Sequence, residues 1–70
     1  MLFNVLIIKN DELIGSETLP DATFAIAVAN WNKQNADRQL SIEKANFINL
    51  DGSGGSFEVG GTVYQFQKVS

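Results

Sequence analysis

Residues 2–8 are apolar at every position but Asn4. Phe3, Val5 and Ile7 fall on one side of an extended chain, and Leu2, Leu6 and Ile8 on the other. Apolar residues on both sides predict a central strand. Asn10-Asp11 then fits a tight turn, because both residue types tolerate positive φ. Residues 12–19 read as a weaker second strand. Gly15 and Ser16 interrupt its pattern and predict a bulge or an edge position.

The period changes after residue 18. Thr18-Leu19-Pro20-Asp21 has the form of a helix start, with Thr18 as N-cap, Pro20 in the first turn and Asp21 near the positive helix end. The alanine-rich run that follows predicts a helix to about residue 35, weakened at Asn30, Asn32 and Asn35. Residues 35–39 read as a polar exit loop. A third strand is expected within residues 40–50, firmest over residues 45–50, and Asp51-Gly52-Ser53-Gly54-Gly55 reads as a turn. Two alternating runs around Gly60-Gly61 predict a hairpin with Phe57 opposite Tyr64 and Val59 opposite Thr62. Phe57, Val59, Tyr64 and Phe66 would then share a face.

The element order is therefore β-β-α-β-β(-β). It predicts an α+β fold: an antiparallel or mixed sheet of four or five strands with one helix packed on one face. The expected core is Phe3, Val5, Ile7, Ile14, Phe24, Val28, Phe47, Phe57, Tyr64 and Phe66. Seventy residues make one small domain, residues 1–70. Apolar residues are 44% of the chain and charged residues 19%, which is a globular and not a disordered composition.

Composition then narrows the chemistry. The chain has no cysteine and no histidine, so a disulfide framework, a zinc finger, a thiol nucleophile and Ser-His-Asp catalysis are excluded. Residues 1–9 lack the basic flank and cleavage site of a secretory signal, and no apolar run approaches the ~20 residues of a membrane span. A cytoplasmic protein is expected. Eight acidic residues outnumber five basic ones, and no two basic residues adjoin. Direct nucleic-acid binding is disfavoured on that account.

Three sets of residues are candidate sites. On the helix, Phe24, Val28 and Trp31 form one stripe, and Ala22, Ala25, Ile26 and Ala29 a second, offset one. The plain reading packs the large stripe on the sheet. The functional reading projects Phe24 or Trp31 as a partner anchor, since tryptophan is enriched in interface hot spots. Residues 49–54 begin like a calcium loop, but Gly60 stands where a bidentate Glu is required, and no Lys-Ser follows the glycines to hold a phosphate. They read as a hairpin loop, and no metal or cofactor is expected. Asp11, Glu12 and Asp51 could share a turn-rich rim and make an acidic patch. A domain this small has little room for a concave catalytic pocket, so an enzyme is not expected.

The strand ending Leu6-Ile7-Ile8-Lys9, the Thr18-Leu19-Pro20-Asp21 start, the strand opening Ala45-Asn46-Phe47-Ile48 and the closing segment over residues 57–66 together resemble small phage-encoded α+β inhibitor proteins of the anti-CRISPR type. The immunoglobulin-binding domain of protein G is similar in its β-β-α-β-β order only. The first resemblance implies a stoichiometric blocker that occupies a surface of a larger host protein or ribonucleoprotein complex. The expected function is thus a non-catalytic protein-binding module, an inhibitor of a bacterial defence complex, with Trp31, Phe24, Asp51, Asp11 and Glu12 as candidate contacts. The alternatives are a structural protein that self-associates, as a homodimer or larger assembly, through a strand edge or the helix, and an acidic nucleic-acid mimic.

Overall fold

The computed structural model describes residues 2–21 and 23–69. Among them the chain forms β1 (Phe3–Lys9), β2 (Glu12–Leu19), α1 (Phe24–Gln34), a 3-10 turn (Ile42–Lys44), β3 (Phe47–Ile48), β4 (Gly54–Val59) and β5 (Thr62–Lys68). The strands make one open sheet in the order β2-β1-β5-β4-β3, and every pairing is antiparallel. The α+β architecture expected from the sequence is the one observed, in its five-stranded and wholly antiparallel form.

β1 is central because it can be: apolar on both sides, it pairs with β2 on one flank and β5 on the other. Asn10 and Asp11 make its turn with φ of 53° and 60°. β2 is both an edge strand and bulged. Its register slips between the pairs Ile7–Gly15 and Ile8–Leu13, so Ile14 is the extra residue. The second hairpin has the expected register, Phe57 opposite Tyr64 and Val59 opposite Thr62. Gly60 and Gly61 supply its positive φ values, 58° and 82°.

The helix start differs from expectation. β2 runs on to Leu19, which is buried opposite Phe3. Thr18 is therefore a strand residue whose hydroxyl donates to Asn4 Oδ1 at 3.0 Å. The cap is Thr23, in extended conformation, whose Oγ1 accepts from the Ile26 N–H at 3.2 Å. The strand pairing of Thr18 and Leu19 outweighs the local capping signal. Pro20 and Asp21 lie in the connection, and Asp21 is buried there, accepting a hydrogen bond from Asn30 Nδ2.

The third strand shrinks to two residues. Residues 40–46 form the 3-10 turn and its flanks instead, and Gly54 and Gly55, read as turn, open β4.

The core lies between α1 and one sheet face. Phe24, Ala27, Val28 and Trp31 are the buried positions of the helix, at spacings of three, four and seven. They meet Phe3, Val5, Phe57, Tyr64 and Phe66. The rings interlock: Phe24 stands edge-on to Phe66 at 5.5 Å, and Trp31 edge-on to Tyr64 at 5.5 Å. Two core expectations are corrected. Ile14 is 57% exposed because the bulge turns it out, and Phe47 is 62% exposed because its register opposite Ser56 puts it on the sheet face away from the helix. Val59 is exposed at the hairpin end. Leu19, Ala27, Trp31 and Leu40 complete the core.

Candidate functional site

The expected anchors are not on the surface. Trp31 is fully buried and Phe24 nearly so, because the large helical stripe is the one that faces the sheet. Truncating either would open a core cavity at a cost of about 3–5 kcal/mol, which is a folding effect and not a contact effect. Of the small stripe, Ala25, Ile26 and Ala29 face outward, and Ala22 lies outside the described residues.

Asn32 of the helix and Asn35 at its C-cap have a positive role. Asn32 brackets Leu40, donating from Nδ2 to its carbonyl at 2.7 Å and accepting from its N–H at 2.6 Å. Asn35 donates to the Trp31 carbonyl at 3.1 Å and accepts from Arg38 Nη2 at 2.8 Å. The Arg38 carbonyl in turn accepts the Trp31 indole N–H at 2.8 Å, and its guanidinium lies 5.4 Å from the centre of the indole ring. The exit loop is thereby tied over Trp31 and satisfies its one polar atom. Arg38 and the asparagines are structural ties.

The shared acidic rim does not form. Asp11 and Glu12 stand at the end of the sheet where Lys9 pairs with Thr62. Asp51 belongs to the loop at the other end, where Gly54 pairs with Gln67. Strands of seven residues hold these ends roughly 20 Å apart. Asp51 is fully exposed, and its Oδ1 accepts the Ser53 N–H at 2.9 Å. Hydrogen bonds from the Ser53 side chain and backbone hold its carboxyl below the usual aspartate range. This shapes the loop tip. Among the described residues no three carboxylates converge where a cation could bind, and no helix is long and apolar enough to cross a membrane.

Two surfaces stand out instead. The first is the segment Phe47, Ile48 and Leu50. These are three large apolar side chains within four residues, 62%, 44% and 107% exposed. β3 leaves Ile48 outside for a local reason. Opposite Ile48 stands Gly55, and the space above Gly55 is already taken by the Phe24 ring: a Cβ there would lie 2.7 Å from Phe24 Cζ. The loop that follows is closed by Asn49, whose N–H donates to the Gly54 carbonyl at 3.0 Å and whose Nδ2 donates to Ser53 Oγ at 3.0 Å. Leu50 is held at the tip of a tied loop.

The second surface is the sheet face that the helix leaves open. Alternation along the strands assigns Asn4, Leu6 and Ile8 of β1 to it, with Val63, Gln65 and Gln67 beside them on β5. Ser16 and Thr18 extend it across β2, and Ser56 and Glu58 across β4. Phe47 stands at its margin beside Ser56. A shallow depression of about 260 Å³ runs between Phe47, Ser56, Gln65 and Gln67. Of the charged strand residues, Lys9, Glu12, Glu17 and Lys68 register on the helix side, and Glu58 alone belongs to the open face.

These features define a small helix-on-sheet α+β domain with one apolar loop and one uncovered face whose single charged strand residue is Glu58. No protein-family model, curated protein or solved structure matches the chain.

The sequence places Asp51 of this loop among the candidate contacts but not the loop's apolar residues, and it gives no sign of the open face. Phe47 was assigned to the core, and Leu50 to the end of a strand. The signal for the loop was present in Phe47-Ile48-Asn49-Leu50 running straight into a glycine-rich turn: such a segment has too few partners on β4 to be buried.

Proposed function

We propose that this chain is a non-catalytic protein-binding module that occupies a surface of a larger protein, with Phe47 and Leu50 as its anchors. The observation that carries the proposal is the tied loop that presents Leu50 at full exposure beside Phe47 and Ile48. Exposed apolar side chains grouped on an ordered loop are costly in water and gain when they enter a partner's pocket. Asn49, Ser53 and the Gly54 carbonyl fix the loop, so little ordering entropy is lost on binding. The resemblance to phage-encoded inhibitors makes a bacterial defence ribonucleoprotein the first target to try. The action would be stoichiometric blocking, which requires no reactive group.

The experiment is an inhibition titration against purified CRISPR effector complexes, paired with direct binding measurements. Inhibition is expected to saturate at a fixed ratio of chain to complex. Phe47→Ala and Leu50→Ala should each weaken binding about 30-fold, the scale of a hot-spot residue worth about 2 kcal/mol. Both variants should keep the native circular dichroism. Inhibition that grows with time at substoichiometric dose would point to catalysis and overturn the proposal. So would a complex that binds both variants as tightly as the native chain.

A further inference from the structure

We infer that the uncovered sheet face is the contact between two copies of this chain, packed sheet on sheet with α1 on the outside of each. This goes beyond the anchor loop and does not depend on it.

Charge is the first argument. A two-fold contact sets one face against itself, so every charged group near its centre meets a like charge. The chain carries eight acidic and five basic residues and is negative overall. Yet four of its five charged strand residues register on the helix side, and Glu58 sits at the corner of the open face. Interface centres are depleted of charge in this way, with charges left to the rim.

The second argument is chemical self-complementarity. The centre of the face is Leu6 and Gln65, flanked by Asn4, Ser16, Ser56 and Gln67. Side-chain amides and hydroxyls each donate and accept. They can therefore pair with a copy of themselves, which a carboxylate or an ammonium cannot do. Ile8 and Val63, directly paired, add apolar area at one end.

Size is the third. The five strands hold 30 residues, which at ~3.3 Å rise and ~4.8 Å spacing present roughly 500 Å² in flat projection. Side-chain relief brings this towards the ~800 Å² per partner of a specific interface. The strand edges are guarded against the alternative mode. β2 is bulged and carries Glu12 and Glu17, and β3 has two residues. Nothing comparable guards the face.

The test is sedimentation equilibrium of the full chain over micromolar to millimolar concentration. Twice the 7.6 kDa of one chain is expected at the upper end. Gln65→Glu puts like charges at the centre of the contact and should weaken the dimer at least tenfold, while circular dichroism stays native. Gln65→Lys should do the same. An equimolar mixture of the two should restore a dimer, because opposite charges then meet. Ser56→Glu serves if a position-65 variant fails to fold. Ala29→Glu, on the outer helix face, should change nothing. A native chain that stays monomeric throughout overturns the inference. So does a dimer indifferent to charge at positions 65 and 56. A dimer abolished by Leu50→Ala but not by Gln65→Glu would place the contact at the loop, and would also overturn it.

Discussion

A side chain at position 55 would have nowhere to go. A Cβ there would lie 2.6 Å from the Phe47 carbonyl oxygen and 2.7 Å from Phe24 Cζ. One obstacle is backbone and the other is a ring wedged against Phe57 and Phe66, so neither yields cheaply. Gly55→Ala is expected to destabilise the fold by about 2–3 kcal/mol, the upper range for overpacking. For a domain of this size that is roughly a 10–20 °C fall in melting temperature. Gly60→Ala is the informative comparison. Its Cβ would meet nothing within 4 Å, but φ is +58°. The cost there is conformational, about 1 kcal/mol. Thermal unfolding of both variants checks the difference. Equal losses would mean that Phe24 is not seated on Gly55. The same contact explains why Ile48, opposite Gly55, stays outside the core: nothing in the string Gly54-Gly55 says that a phenylalanine some thirty residues earlier fills the space above it.

Among the elements, the helix start separates local from tertiary signals. Thr18-Leu19-Pro20-Asp21 and Thr23 both offer caps. The structure uses Thr23, because Leu19 gains more by closing β2 against Phe3 than the helix gains by starting five residues sooner. Thr23→Ala should cost about 1 kcal/mol, the usual loss for a removed cap. Thr18→Ala, which gives up one exposed hydroxyl bond to Asn4, should cost less. Urea denaturation of the two variants decides. If Thr18→Ala proves the more damaging, the helix begins where the sequence suggested. What was legible follows the same division. The two-sided apolar run of β1, the Gly60-Gly61 hairpin and the 3.6-period stripe of α1 are readable, because each is set by neighbours in the chain. The bulge at Ile14 had its sign in Gly15, but its direction did not. The shortness of β3 and the ties from Asn32 and Asn35 were illegible, since they depend on residues the fold brings together. For the candidate site this mattered most. Trp31 and Phe24 read as anchors only where burial is left out, and a face with Glu58 as its single charged strand residue emerges only once register sorts Lys9, Glu12, Glu17 and Lys68 to the other side.

The molecule as a whole has no part that could stand without the rest. Its central pair joins β1 and β5, the two strands most distant in sequence, and Val69 still donates to the Leu2 carbonyl at 2.8 Å. The N-terminal hairpin alone leaves Phe3, Val5 and Ile7 uncovered. The C-terminal hairpin alone leaves Phe57, Tyr64 and Phe66 uncovered. The helix contributes the residue that touches both Tyr64 and Phe66, which is Trp31. A chain built this way should fold slowly for its size, because distant strands must meet before either hairpin is stable. It should also unfold as one unit. Trp31 makes the second point measurable. It is the only tryptophan, fully buried and tied through Arg38, so its fluorescence reports the helix–sheet contact. Circular dichroism reports the backbone. The two denaturation curves are expected to superimpose, at a protein concentration fixed across both so that any dimer contributes equally. A fluorescence change that precedes the loss of dichroism would show that α1 can leave a surviving sheet. That result would mean the helix is a separable cover, and that both faces of the sheet, not one, are within reach of a partner.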